Sequence, residues 1–201
     1  MEISWTKKEL GLVAGLLLLI SSVSSVNANT PFNAYQTVEV ELSGSFNINE
    51  NMFHDYWSPE AGGGLRISTP FYFGQVEGIM AYWYYYGIEE KDSPSYSNIL
   101  TVLGWGKEFT LLNDHMALFG GAFVGNSYLS FEQYSFFGHG ESEVTAGLYG
   151  RASLNLPKDW RFNISVKQTR MFTFHRIDLT YVSLGISRTF NSPSWVKKFF
   201  K

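Results

Sequence analysis

The chain has 201 residues, 45% of them hydrophobic and only 16% charged, with a formal net charge of −3 and no cysteine. The missing cysteine excludes a disulfide scaffold, a thiolate metal site, a cysteine nucleophile and an acylated lipoprotein cysteine. The near-neutral balance lacks the basic stripe that nucleic acid demands, so nucleic acid is not an expected partner.

Residues 1–28 read as an export signal. Lys7 and Lys8 supply a short positive region, diluted by Glu2 and Glu9, and residues 10–20 form an unbroken apolar run. That run is too short to span a bilayer as a helix, which takes roughly 20 residues. Val26-Asn27-Ala28 then sets small or apolar residues at the −3 and −1 positions of a cleavage site. Cleavage after Ala28 is the expectation; a retained membrane anchor is the rival reading.

Beyond the signal the pattern has period two. Val38, Val40, Leu42 and Phe46 alternate with Glu39, Glu41, Ser43 and Ser45. Val144, Ala146, Leu148, Ala152 and Leu154 alternate with Glu143, Thr145, Tyr149, Arg151 and Ser153. Successive strand side chains point to opposite faces, so each segment has one apolar and one polar side. Eight such segments are predicted: 36–46, 60–69, 73–86, 97–109, 116–131, 142–156, 160–172 and 179–190. The fourth and the first half of the fifth are apolar on both faces, which leaves their orientation open. Long connections near 47–59, 87–96 and 132–141 alternate with short ones around Pro70, Asn113 and Pro157. Brief turns at one end and longer loops at the other suit an antiparallel, up-and-down transmembrane β-barrel spanning 29–190.

A soluble barrel or sandwich would alternate too. Most of these segments, however, reach the roughly 9–11 residues that a tilted strand needs to cross hydrocarbon. Aromatic residues also gather at both strand ends. Phe71, Tyr72, Phe73, Phe109, Trp160 and Phe190 lie toward the short turns, and Tyr82, Tyr84, Tyr85, Tyr86, Phe131, Phe136, Phe137, Phe172 and Phe174 toward the long loops. Two such girdles match two membrane–water interfaces.

The last strand, Tyr181-Val-Ser-Leu-Gly-Ile-Ser-Arg-Thr-Phe190, carries a glycine followed by alternating apolar residues and a terminal aromatic. In this the chain resembles the small eight-stranded outer-membrane barrels of Gram-negative bacteria, whose assembly signal has that form. Arg188 departs from it, standing where an apolar residue is usual, and the chain continues past Phe190. The resemblance implies an outer-membrane location and contact with lipids including lipopolysaccharide. It also implies handling by the barrel assembly machinery during biogenesis.

With the apolar parity facing lipid, the polar parity fills the lumen. The expected inward charges are Glu39, Glu41, Glu77 and Glu143 against Arg66, Arg151, Arg161 and Lys167. Buried charges are costly unless paired, so an internal ion-pair network is expected. The bulky inward Trp83, Tyr85 and Tyr149 weigh against the alternative of a narrow small-solute conduit.

Some barrels of this class are lipid A acyltransferases, deacylases or proteases. His54 in the first long loop, with Asp92 and Ser93 in the second, is distantly similar to the palmitoyl-transferring barrels. Loops are rich in Asp and Ser for turn-forming reasons alone, so no catalytic site is assigned and the enzyme stays the second reading. His139-Gly140-Glu141-Ser142 does not match the deacylase pattern. Four scattered histidines give no ligand spacing, so neither metal nor cofactor is expected. Phe53, Tyr56, Trp57, Tyr96, Tyr134, Phe136 and Phe137 make the long loops the expected working surface toward an extracellular ligand. Packing on one another is their alternative fate. Arg170 and Arg176 are candidates for lipopolysaccharide phosphates.

Residues 191–201 form the last element. Ser192 can cap a helix begun by Pro193, with Trp195, Phe199 and Phe200 on one side and Lys197, Lys198 and Lys201 on much of the rest. An amphipathic membrane-interface anchor on the periplasmic side is expected. The whole reads as a non-enzymatic outer-membrane barrel with a structural or surface-binding role.

Overall fold

The computed structural model describes residues 34–91, 93–112, 114–132, 140–173 and 176–194. The segment expected as an export signal, Asp92, Tyr134, Phe136, Phe137, His139, Phe174 and the expected anchor residues Trp195, Phe199 and Phe200 lie outside them. The described residues all belong to one compact unit that begins at Asn33.

Alternation becomes strands where it was expected, with ends shifted by at most two residues. They are β1 (Thr37–Asn47), β2 (Trp57–Pro59), β3 (Gly62–Phe71), β4 (Gly74–Gly87), β5 (Tyr96–Leu111), β6 (Met116–Phe131), β7 (Gly140–Asn155), β8 (Trp160–Met171) and β9 (Ile177–Asn191). Eight are long and close into one antiparallel barrel, each pairing with its chain neighbour and β9 returning to β1. The three-residue β2 adds to the long-loop end of β4 through Trp57↔Gly87 and Pro59↔Tyr85. It was not visible in the sequence, because three residues are too few to show a period.

The register fixes the tilt. From Pro70 the ladder runs through Gln75, Gly106, Gly121, Tyr149, Lys167, Tyr181 and Asn47. The β1–β3 register then carries it to Glu60, ten residues from its start. With eight strands, such a stagger inclines each strand by roughly 40° to the barrel axis and leaves an interior that side chains can fill.

The outer face inverts a soluble protein. Leu42, Ile67, Met80, Leu103, Val124, Leu148, Ile164 and Leu184, one from each long strand, are all exposed. An apolar belt that circles the molecule has no counterpart in water-soluble monomers, whose exposed apolar patches stay small. Tyr82, Tyr86, Tyr128 and Phe172 edge it at the long-loop end, and Trp160 and Phe190 at the other.

The open question of β5 is resolved: its even residues face in. Leu100 and Val102 are 1% and 2% exposed, whereas Leu103 is 68% exposed. This parity also turns Gly104 and Gly106 inward, where bulky rings lie over the wall. A Cβ on Gly106 would stand 2.4 Å from both the Gly120 carbonyl and the Phe119 ring.

Candidate functional site

The lumen is filled in layers. Nearest the short turns is a network of charges built by the inward parity of β1, β3, β4, β7 and β8. Arg66 on β3 is its hub. Its Nη2 donates to Glu39 and, at 2.7 Å, to Glu41; Nε donates to Glu41 at 3.1 Å. Nη1 donates to Ser68 at 2.7 Å and to Glu77 at 3.1 Å. All five guanidinium N–H groups thereby find acceptors.

Glu77 is fully buried. It accepts from Arg151 Nη2 at 3.0 Å and from the Tyr149 hydroxyl at 2.6 Å. Arg151 in turn lies over the Phe119 ring, 4.5 Å from its centre. Toward the rim, Arg161 bridges Glu39 at 3.0 Å and Glu108 at 3.1 Å. Asn163 links Glu41 to Ser187 at 2.7 and 2.9 Å. The inward charges foreseen from parity thus meet here, with two differences.

Glu143 stands apart: it is half-buried near the long-loop end of β7, opposite Ser127, with no ion pair among the described residues. Its parity was right, but its height on the strand is far from any inward cation. Glu108 takes the fourth acidic place. Sequence reasoning missed it because β5 showed no polar face from which to read parity.

Lys167 also has no carboxylate partner within ion-pair distance among the described residues. Its ammonium lies 5.9 Å from the Phe123 ring centre and borders a chamber of about 30 Å³ lined by Ser43, Ser45, Ser165 and Ser183. A polar space of that size can hold water that solvates the ammonium.

Above the chamber the filling is aromatic. Trp83 stacks on Tyr181 at 4.5 Å between ring centres and donates its Nε1–H to Ser45 at 2.8 Å. The Tyr85 and Tyr181 hydroxyls are 2.5 Å apart, and Tyr85 stacks on Tyr96 at 4.8 Å. The first long loop closes over this layer. Phe53, 7% exposed, meets Tyr85 edge-on at 5.5 Å and stacks on Trp57 at 5.3 Å.

Phe53 and Tyr96 therefore belong to the core, and Trp57 is half-buried against it; of the described loop aromatics expected as a binding surface, Tyr56 alone is exposed. Rings crowded at the mouth of so narrow a barrel bury more area against one another than they would in water.

Asparagines hold that loop down. Asn51 caps the turn Met52–Asp55 through its side chain, which accepts from Phe53 N at 2.9 Å. Asn49 and Asn51 donate to the Asp178 carbonyl at 3.0 and 2.5 Å, and Thr180 N donates back to Asn49 at 2.6 Å. His54 is part of the same brace. Asn51 N–H donates to its Nδ1 at 3.1 Å, and Nε2 meets Asn47 Oδ1 at 2.9 Å.

Both ring nitrogens are thus engaged. Ser93 donates to the Lys91 carbonyl at 3.4 Å; no hydrogen bond joins it to His54 among the described residues. Arg170 grips Asp178 with two bonds of 2.6 and 2.9 Å, leaving Arg176 as the exposed guanidinium of that loop.

No family model and no curated protein sequence match the chain. Among solved structures, it is similar to the N-terminal β-barrel domain of Pseudomonas aeruginosa OprF, with 13% identity and a TM-score of 0.53 over 78% of this chain and 99% of that one. It is similar to Neisserial surface protein A, at 9% identity and a TM-score of 0.54 over 77% and 96% of the two chains. A third likeness is to Ail, the attachment invasion locus protein of Yersinia pestis, in complex with the heparin analogue sucrose octasulfate. There the identity is 13% and the TM-score 0.51, over 77% of this chain and 98% of that one. At these identities the likeness is one of fold, and the fold is that of the small eight-stranded outer-membrane barrels.

Proposed function

We propose that this protein is an exported, non-enzymatic outer-membrane barrel that acts through its long-loop face, as a structural wall element or by holding a surface ligand. The observation that carries this reading is the pairing of an apolar outer belt with a lumen filled from wall to wall. A chain whose exposed face is hydrocarbon-like and whose interior is ionic and aromatic matches lipid outside and offers solutes no path inside.

The engagement of both His54 ring nitrogens supports the non-enzymatic reading over acyl transfer, which needs a base free to take a proton from a hydroxyl. The loop face also constrains the ligand. Glu50, Asp55, Glu60, Glu89, Glu90, Glu132 and Glu141 are exposed there, against Lys91 and Arg176 among the described residues. That charge repels a polysulfated ligand of the kind bound to Ail and suits a cationic one.

The test has two arms. Closed barrels leave no unpaired edge in lipid, so the protein should partition with the membrane and migrate differently on a gel before and after boiling. Identical mobility together with recovery in the soluble fraction would sink the membrane assignment. Mass spectrometry of lipid A from cells with and without the gene should show no change, and a changed acylation pattern would restore the enzyme.

A further inference from the structure

Arg188 sits on the outside of the wall. Its neighbours of like parity, Ile186 and Phe190, are 49% and 46% exposed, and Arg188 is exposed with them. It lies three residues before the end of β9, opposite Trp160, the first residue of β8. This is the short-turn edge of the apolar belt, where a charge on the lipid face costs about 0–1 kcal/mol, against the larger penalty at mid-bilayer.

The guanidinium carbon lies over two rings, 5.4 Å from the centre of Trp160 and 5.3 Å from that of Phe190. No carboxylate comes within ion-pair distance of it among the described residues, although Asp159 occupies the adjoining turn. No hydrogen bond among the described residues engages its N–H groups either. Those groups make the forked donor that suits a phosphate.

Lys107, also outward near this edge of the belt, lies over Phe109 at 5.4 Å. It has one ring rather than two, and an ammonium rather than a planar fork. The residue that breaks the expected apolar pattern of the last strand is therefore the better-built anion receptor of the pair.

We propose that Arg188, lying over Trp160 and Phe190, binds the phosphate of an anionic phospholipid in the leaflet at the short-turn end. The proposal rests on the membrane reading above.

The full chain would be reconstituted in nanodiscs of phosphatidylcholine mixed with phosphatidylglycerol. Lipids that stay bound would then be read by native mass spectrometry. Wild type should retain phosphatidylglycerol above its bulk fraction by roughly five-fold, the value of one basic residue at an anionic surface. Arg188→Gln should return the retained lipid to the bulk ratio. Arg188→Lys, which keeps the charge but not the planar fork, should fall between the two.

Unchanged enrichment in Arg188→Gln, with the barrel still heat-modifiable, overturns the clip alone. Full enrichment in Arg188→Lys overturns the role of the rings. Loss of the bound lipid to added inorganic phosphate overturns the assignment to a lipid headgroup. Failure of the wild-type chain to enter the nanodisc overturns the membrane reading, and the clip with it.

Discussion

Removing the Glu77 carboxylate strands two guanidinium groups at once, since Arg66 and Arg151 both lean on it. Arg66 keeps Glu39 and Glu41; Arg151 has no other carboxylate among the described residues. Glu77→Ala should therefore cost about 3–5 kcal/mol, the usual loss when one partner of a buried pair is deleted. Urea unfolding of the reconstituted protein would measure it. Adding Arg151→Met to Glu77→Ala should recover part of the loss, because the stranded charge leaves with it. A double variant as weak as the sum of the singles would mean that the two residues are not coupled. Parity alone named six of the seven charges paired at this level, for alternation determines which side chains face in. Parity says nothing of height, which is why Glu143 was grouped with cations it cannot reach. Glu108 was illegible for a different reason: Leu100, Val102 and Leu103 put apolar residues on both faces of β5, and only the fold says which face is inside.

Among the elements, the β5–β6 hairpin holds a close backbone approach that only glycine permits. Gly106→Val would drive a side chain into the Gly120 carbonyl and the Phe119 ring, each 2.4 Å from the new Cβ. A carbonyl in the ladder cannot step aside without breaking the sheet, so this variant should fail to reach the heat-modifiable form. Gly78 on β4 faces outward, and no atom beyond its chain neighbours comes within 4 Å of where a Cβ would stand. Gly78→Val should fold at wild-type yield, and gel mobility before and after boiling scores both. The first long loop makes a second prediction at this scale. Asn51→Ala removes both the cap of the turn Met52–Asp55 and the tie to Asp178. Losing such a cap costs about 0.5–2 kcal/mol, enough to let protease cut within 48–56 while the barrel stays whole. Cleavage no faster than in wild type would show that Phe53 alone holds the loop. The strands were legible because a half-buried wall must alternate. The loop was not: an aromatic residue in a loop looks the same in sequence whether it faces water or folds back over the lumen.

At the scale of the whole molecule, two unlike layers close the same passage. The lower is ionic, from Glu39 to Glu77, and the upper is aromatic, built on the Trp83–Tyr181 and Tyr85–Tyr96 stacks. They fail independently because no hydrogen bond joins them among the described residues: the charges bond to one another and to Ser68, Tyr149 and Asn163, and the rings bond to Ser45 and to each other. Wild-type protein in a planar bilayer should therefore show no stable conductance. Glu77→Ala should stay closed as well, despite its lost stability, since the stacked rings still span the lumen above it. Trp83→Ala with Tyr85→Ala opens the upper layer and leaves the ionic one, which ought again to be silent. Only the triple variant weakens both, and it should pass brief, noisy currents that depend weakly on salt identity, as expected for a narrow wet lumen without a built selectivity ring. Steady current through the wild type would make the barrel a conduit. Current through Glu77→Ala alone would show that the rings part easily, and that the charges below are the sole barrier.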